Sequence, residues 1–316
     1  MEYILGVDGG GTKTLAAAAD KDGRILAEIQ FGSSNYKSSG FKRAKSNYTK
    51  GIISLAGKLK KSFNDENPFF KSACIGLAGL NTSYDQKMFN ALILNDDLKA
   101  TMDFNNTILV NDTVIGLAAG SLKENRVIII AGTGSNCYGI NAEGAQAKAN
   151  GWDHILGDEG SGFSMGIHTL RAVMRAYDGR GPETLLTRNV FEYLKIKDID
   201  ELNMWTYDTA FSKDRFASLS LILCNTAEEG DRVAIKILKK EALEVILNVK
   251  TVVRKLKLED KDFDLVFVGK NFRCKKYFTE IVKKKLKNDF PLINFLPLTN
   301  RPVEGAVRLA VSVGDV

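Results

Sequence analysis

The segment Asp8-Gly9-Gly10-Gly11-Thr12-Lys13-Thr14 separates two apolar runs, Tyr3-Ile4-Leu5-Gly6-Val7 before it and Leu15-Ala16-Ala17-Ala18-Ala19 after it. Three consecutive residues without a Cβ allow a tight reversal in which backbone N–H groups close around an anion, and Thr12 adds a hydroxyl donor. The pattern predicts strand, phosphate-binding turn, strand. Gly10, Gly11, Thr12 and Lys13 are the expected phosphate contacts, with Asp8 holding Mg²⁺ through water, as hard oxygen ligands do. An ordinary Gly-rich hairpin would share this spacing.

Two near matches narrow the choice. Gly6 to Gly11 follows the start of a P-loop, but Thr12 stands where the lysine belongs and a strand rather than a helix is expected next, which argues against a Walker-type NTPase. No G-x-G-x-x-G opens a helix within a βαβ unit, so a dinucleotide-binding fold loses its main support.

A second signal lies more than a hundred residues on. Arg126-Val127-Ile128-Ile129-Ile130-Ala131 runs into Gly132-Thr133-Gly134-Ser135 and then into Asn136-Cys137-Tyr138-Gly139-Ile140. It repeats the strand, Gly/Thr turn, strand design. Two such hairpins, one per lobe, are expected to clamp one nucleoside triphosphate across a cleft.

The 316 residues, with 44% hydrophobic and 26% charged side chains, suit two soluble globular lobes. The net charge of +6 includes Lys283-Lys284-Lys285, which lies in an amphipathic helical stretch without interleaved aromatics and reads as a solvated face. No nucleic-acid partner is expected. Neither a run of about 18 apolar residues nor a signal-peptide pattern is present, so no membrane partner is expected and the location is predicted to be cytoplasmic. Cys74, Cys137, Cys224 and Cys274 form no C-x-x-C and read as small buried hydrophobes. His154 and His168 are the only histidines, which leaves little material for a histidine metal centre or a Ser-His-Asp triad.

Along the chain, strands are predicted near 3–8, 15–20 and 24–30. A helix is expected around 41–62 from Ile52, Ile53, Leu55, Ala56 and Leu59, followed by strands at 72–78 and 107–110. After the second hairpin come helices near 161–178, 182–195, 208–228 and 231–257, a strand at 263–268, and a helix at 302–313 that opens on Pro302. This divides into an N-terminal lobe, residues 1–117 plus 302–316, and a C-terminal lobe, residues 118–301.

Ligands of open sheets bind beyond the carboxyl ends of parallel strands, and Asp112 follows the strand 107–110 directly. A carboxylate there can take the proton of a hydroxyl attacking the γ-phosphorus, in a reaction that otherwise needs positioning and charge stabilisation. It could equally cap the helix that follows. The other dense cluster is Asn150-Gly151-Trp152-Asp153-His154-Ile155-Leu156-Gly157-Asp158-Glu159-Gly160-Ser161-Gly162. Trp152 offers a flat apolar face, and Asp158 and Glu159 offer carboxylates able to grip vicinal hydroxyls. Glu159 or Ser161 could instead cap the helix near Phe163.

Taken together, Asp8–Thr14, Asn111-Asp112, Gly132–Ser135, Gly151–Gly162, Ala227–Asp231 and Pro302–Ala310 resemble the N-acetylglucosamine kinase family, with its BadF/BadG-type ATPase domain in the actin-like ATPase superfamily. The resemblance implies an α/β fold of two ribonuclease-H-like lobes, each a mixed five-stranded sheet flanked by helices, with an interlobe cleft for ATP, Mg²⁺ and an amino sugar. It further implies that Thr12 and Thr133 contact ATP phosphates beside Gly132 and Gly134, and that Gly230, Gly269 and Lys270 border the adenosine. Asp112 would activate the sugar 6-hydroxyl. Asn35, Gly151, Trp152 and Asp158 would hold the sugar, and members are often homodimers. The implied substrates are N-acetylglucosamine and N-acetylmuramic acid, with glucosamine kinase as the alternative.

Two positions depart from that pattern. Gly269 is followed by Lys270 where a second glycine is usual, and Gly76-Leu77-Ala78-Gly79-Leu80 carries no hydroxyl before Asn81, which leaves room for a 3-lactyl ether. An activator ATPase of a 2-hydroxyacyl-CoA dehydratase would need cysteines close enough to share an iron–sulfur cluster. A sugar-sensing repressor would need an N-terminal helix-turn-helix, whereas this chain starts on a strand.

Overall fold

The computed structural model describes residues 2–209 and 212–314. Its chain forms β1 (Tyr3–Gly9), β2 (Lys13–Ala19), β3 (Ile25–Gly32), α1 (Tyr36–Ser39), α2 (Phe41–Phe63), β4 (Phe70–Leu77), α3 (Ser83–Ile93), β5 (Thr107–Asn111) and α4 (Asp112–Gly120). Next come β6 (Arg126–Ala131), β7 (Ser135–Ile140), β8 (Gln146–Asn150), α5 (Asp153–Leu156), α6 (Gly162–Tyr177), α7 (Leu186–Leu194), α8 (Ile199–Thr206) and α9 (Lys213–Glu228). The series ends with α10 (Arg232–Lys255), β9 (Phe263–Val268), α11 (Glu280–Asp289), β10 (Ile293–Pro297) and α12 (Pro302–Gly314).

Two compact units result, Met1–Leu122 with Leu298–Val316, and Lys123–Pro297. The sheet of the first has the order β3-β2-β1-β4-β5 and that of the second β10-β9-β6-β7-β8. In both, the hairpin strands pair antiparallel while the leading strand pairs parallel with the later ones, β1 with β4 and β6 with β9. The two sheets therefore share one topology. Each Gly/Thr turn joins the central strand of its sheet to the antiparallel side.

In the first unit β2 is an alanine strand because both of its faces are covered. Ala16 and Ala18 join the cluster built on Tyr48, Ile52, Leu55 and Leu59 of α2, while Ala17 and Ala19 join the cluster built on Val303, Val307 and Ala310 of α12. Small side chains let two helices approach one strand closely. A Cβ on Gly6 would lie 2.6 Å from Val307 Cγ2, so β1 meets α12 under the same constraint. Pro302 occupies the first turn of α12, where its missing N–H is of no consequence.

In the second unit the apolar face of α10, including Leu238, Val245, Val249 and Val252, lies in one core with Val127, Ile129 and Cys137 of the sheet. Between α7 and α9 the structure has a helix that the sequence pattern did not reveal, α8. Within the helix expected at 208–228, Ala210 and Phe211 lie outside the described residues, and α9 begins at Lys213. The cysteines also need correction. Cys224 of α9 and Cys274 form a disulfide, because the fold sets α9 beside the segment that follows β9. Cys74 and Cys137 are buried free thiols, as small hydrophobes should be.

Candidate active site

In the first unit, β1, β4 and β5 run parallel and end at the same level, with Asp8 paired to Gly76 and Gly76 to Val110. Asp112 is the first residue of α4, immediately beyond β5. The capping role falls to its neighbour Asn111, whose Oδ1 accepts the Thr113 amide at 3.0 Å. Burial pushes the Asp8 carboxyl up to about 6; the nearby Asp112 charge pushes the same way and Lys13 opposes it. Asp8 and Asp112, at the ends of parallel strands on either side of β4, are thus near enough for their charges to repel.

A hard divalent cation is the natural remedy for such a pair. Among the described residues no group of three or more His, Cys, Asp or Glu could hold an ion alone. The donor set fits Mg²⁺ as it is usually held beside nucleotides, by one or two carboxylates with the remaining positions taken by water and phosphate oxygens.

The first hairpin closes through the Gly10 amide to the Lys13 carbonyl at 3.0 Å. Ser33 Oγ donates to the Gly10 carbonyl at 3.0 Å and Ser38 Oγ to the Gly11 carbonyl at 2.7 Å, so both oxygens are occupied. Among the described residues no protein acceptor meets the amides of Gly11 and Thr12. The turn therefore offers donors, as an anion site must. Thr12 is exposed at its tip.

Next to the hairpin stands a polar cluster. Asn35 donates from Nδ2 to the Ala78 carbonyl at 2.8 Å and caps α1 by accepting the Lys37 amide at 2.9 Å. Asp85 is buried and receives the Tyr36 hydroxyl at 2.6 Å, the Lys37 ammonium at 2.6 Å and the Asn81 and Thr82 amides at 3.0 and 2.9 Å. Burial works against its charge, but Lys37, Tyr36, Asn81 and Thr82 together hold its carboxyl well below the usual range. Asn111 Nδ2 reaches the Leu80 carbonyl at 3.1 Å. Asn35, Lys37, Asn81 and Asn111 are consequently gathered around the turn at Gly79.

In the second unit, Gly132, Thr133, Gly269, Lys270 and Asn271 line one cavity of about 490 Å³ with Asp214, Ala217, Ser218 and Ser220 of α9. Gly269, at φ 118°, lies so close to the Ala131 carbonyl that a Cβ would collide with it. The Gly132 carbonyl is held by the Gly162 amide at 2.7 Å and by Asn271 Nδ2 at 3.3 Å. Gly230 stands in the turn between α9 and α10 and is not part of that lining.

The loop between β8 and α6 is knotted around Asn150. Its Oδ1 accepts the amides of Gly151 and Asp158, at 2.8 and 2.7 Å, and its Nδ2 donates to the Glu159 carbonyl at 3.0 Å. Asn150, Asp153 and Asp158 have positive φ, as do Gly151 and Gly160. Asp158 is 4% exposed, its Oδ1 accepts the Ser135 amide at 3.2 Å, and burial raises its carboxyl above the ordinary value despite that bond. It faces the second hairpin. Trp152 is half exposed with the Lys148 ammonium 4.9 Å from its ring centre. Ser161, not Glu159, caps α6.

The model of the BadF/BadG/BcrA/BcrD ATPase family matches residues 5–310. The chain belongs to that family. It is 34% identical over its full length to the N-acetylmuramic acid/N-acetylglucosamine kinase of Clostridium acetobutylicum, covering 100% of both chains. It is 32% identical to the N-acetyl-D-glucosamine kinase of Dictyostelium discoideum, covering 98% of each. A solved structure from Chromobacterium violaceum, provisionally named an N-acetylglucosamine kinase, shares the fold with a TM-score of 0.73 at 20% identity, covering 98% of each chain.

For this BadF/BadG-type ATPase the fold gathers Gly10–Lys13, Asp8, Asp112 and Asn35 within one unit, and Gly132–Gly134, Asp158, Gly269 and Lys270 within the other. Sequence reasoning passed over four members of these constellations. Lys37 and Asp85 close the polar cluster, Asp214 accepts the Thr133 hydroxyl at 2.7 Å, and Glu241 accepts the Gly160 amide at 2.7 Å. Thr82-x-x-Asp85 was the one local signal available, since it forms a capping box at α3.

Proposed function

We propose that this chain transfers the γ-phosphate of ATP to the 6-hydroxyl of N-acetylglucosamine. The observation that carries the reading is the placement of Asp8 and Asp112 together at the carboxyl ends of β1 and β5, next to a hairpin whose free amides are donors. Asp112 is the proton acceptor: its carboxylate takes the proton of the attacking hydroxyl. Asp8 would hold Mg²⁺ through water, and the ion, when bound, neutralises phosphate charge. Thr12 and the amides of the first hairpin, with Gly132–Gly134 of the second, bind the phosphates. Gly269, Lys270 and Gly230 are assigned to the adenosine, and Asn35, Gly151, Trp152 and Asp158 to the sugar. The polypeptide is assigned to the cytoplasm and to a homodimer.

N-acetylmuramate is a second substrate on this reading. The Gly79 turn has no hydroxyl side chain before Asn81, and the Lys37 ammonium, held by Asp85 at 2.6 Å and by the Gly79 carbonyl at 2.9 Å on a side chain 44% exposed, keeps a third N–H for a lactyl carboxylate. The test is ADP release measured with N-acetylglucosamine, N-acetylmuramate, glucosamine and water alone, with phosphorus NMR of the product. Turnover confined to the N-acetylated sugars and a 6-phosphate product is the expected result. Absence of turnover with all three sugars overturns the proposal, and turnover with glucosamine alone transfers it to that sugar.

A further inference from the structure

The second unit contains a larger cavity, of about 730 Å³, that the reaction described above does not use. One wall is the last two turns of α6, from which Arg171 and Arg175 project four residues apart with Met174 between them. Arg180 stands at the rim. Leu202 of α8 and Phe216 of α9 supply an apolar side, and Asn203, Thr206 and Tyr207 a polar one.

No carboxylate lines this cavity among the described residues. Arg180 is already committed to Asp178, with hydrogen bonds of 2.8 and 2.6 Å. Arg171 and Arg175 form no ion pair and no side-chain hydrogen bond with any described residue. Asp178 acts on Arg175 only through its charge, without contact, so two guanidinium groups line one face of the cavity with no carboxylate touching either. The apolar side is held firmly: Phe216 packs between Phe163 and Trp205, with ring centres 5.7 and 5.4 Å away. Arg215 stacks 4.8 Å over Trp205 and donates to its carbonyl at 3.0 Å, tying the end of α8 to the start of α9.

The volume suits one small molecule rather than a macromolecular segment. Arginine forks match the geometry of phosphate or carboxylate oxygens, and the Met174, Leu202 and Phe216 side favours an apolar body, because hydroxyls laid on it would lose their hydrogen bonds. We propose that this cavity binds a small amphipathic anion, its phosphate or carboxylate head held by Arg171 and Arg175 and its aliphatic or aromatic body laid on Met174, Leu202 and Phe216. The site is separate from the one lined by Thr133 and Lys270, although α9 contributes to both: Phe216 faces this cavity, and Asp214, Ala217 and Ser218 face the other.

The test is isothermal titration of the full chain, saturated with ADP, with n-hexyl phosphate as probe. Saturable one-to-one binding is expected, with inorganic phosphate and hexanol each at least about tenfold weaker, since each lacks half of the recognition. Arg171→Gln and Arg175→Gln, taken singly, should each weaken the probe by about tenfold or more, the order expected for a lost charge-assisted hydrogen bond. Both side chains are exposed on α6, so their replacement leaves the fold intact, which thermal melts will verify. The proposal is overturned by absence of saturable binding, by equal affinity for inorganic phosphate or hexanol, by unchanged affinity in both variants, or by loss of the probe when ADP is added.

Discussion

The hydroxyl of Thr133 donates to the carboxylate of Asp214 at 2.7 Å, joining the second Gly/Thr turn to the first turn of α9. A carboxylate accepts and cannot donate, so the Thr133 proton is committed to Asp214 until something displaces it. If phosphates bind at Gly132–Gly134, a negative charge stands beside them. Asp214→Asn keeps an acceptor for Thr133 and removes that charge. The KM for ATP is expected to fall by about fivefold, corresponding to roughly 1 kcal/mol for one charge near the surface. Steady-state kinetics with varied ATP decide the matter, since a rise in KM would mean that the charge orients a cation instead.

Asp112→Asn is expected to lower kcat by about a hundredfold or more while the KM for sugar changes little, because general-base assistance contributes on the order of 10²–10⁴. Asn111 provides the α4 cap, so the helix start survives the change. A loss below tenfold would place the base elsewhere.

Asp8 predicts how stability depends on pH. Its folded pKa of about 6 lies above the ordinary 3.8, chiefly through burial and then through Asp112. A raised carboxyl favours the protonated folded state: the contribution is complete below the ordinary value and is lost as pH rises through 6. Asp8→Asn removes that dependence. Its melting temperature should exceed that of the parent at pH 8 without Mg²⁺, by an amount corresponding to at most about 3 kcal/mol, and the advantage should shrink toward pH 4. Parallel thermal melts across that range are the check, and a variant less stable than the parent at pH 8 would contradict the assignment.

How much of this was legible in the sequence depends on the distance over which each feature is encoded. The first hairpin was legible because strand, three glycines and strand are contiguous, and α2 because Leu55 and Leu59 repeat on one face. The same α2 pattern misplaced Ile53, which is 49% exposed, since it lies one position off the stripe of Tyr48, Ile52, Leu55 and Leu59. Short elements escaped: α8 has eight residues, and β10 ends on Pro297, which breaks a strand pattern. The contacts of Asp85 with Tyr36, Asp214 with Thr133 and Glu241 with Gly160 span 49, 81 and 81 residues. Apart from the capping-box spacing of Thr82 and Asp85, nothing local marks a lone carboxylate that acts through such partners. The Cys224 to Cys274 pairing, 50 residues apart, was hidden for the same reason.

Glu241 supplies the last prediction. It is 1% exposed on α10: Oε2 takes the Gly160 amide at 2.7 Å, and Oε1 takes the Ser164 hydroxyl at 2.8 Å and lies 2.9 Å from His168 Nδ1. Glutamine at this position keeps the Gly160 bond only by turning its NH₂ toward Ser164, whose hydroxyl must then accept instead of donate, and it replaces charge-assisted bonds with neutral ones, a loss of about 1–3 kcal/mol. The Gly160 amide belongs to the loop that carries Asp158, and Asp158 in turn grips the Ser135 amide of the second hairpin. Loosening the loop therefore reaches both the residues proposed for the sugar and those proposed for the phosphates. Glu241→Gln should lower the melting temperature by about 2–4 °C for each kcal/mol lost and raise the KM for sugar and for ATP together, with a smaller effect on kcat. Melting combined with two-substrate kinetics separates the outcomes, because a fall in stability with both KM values unchanged would leave Glu241 a purely structural residue.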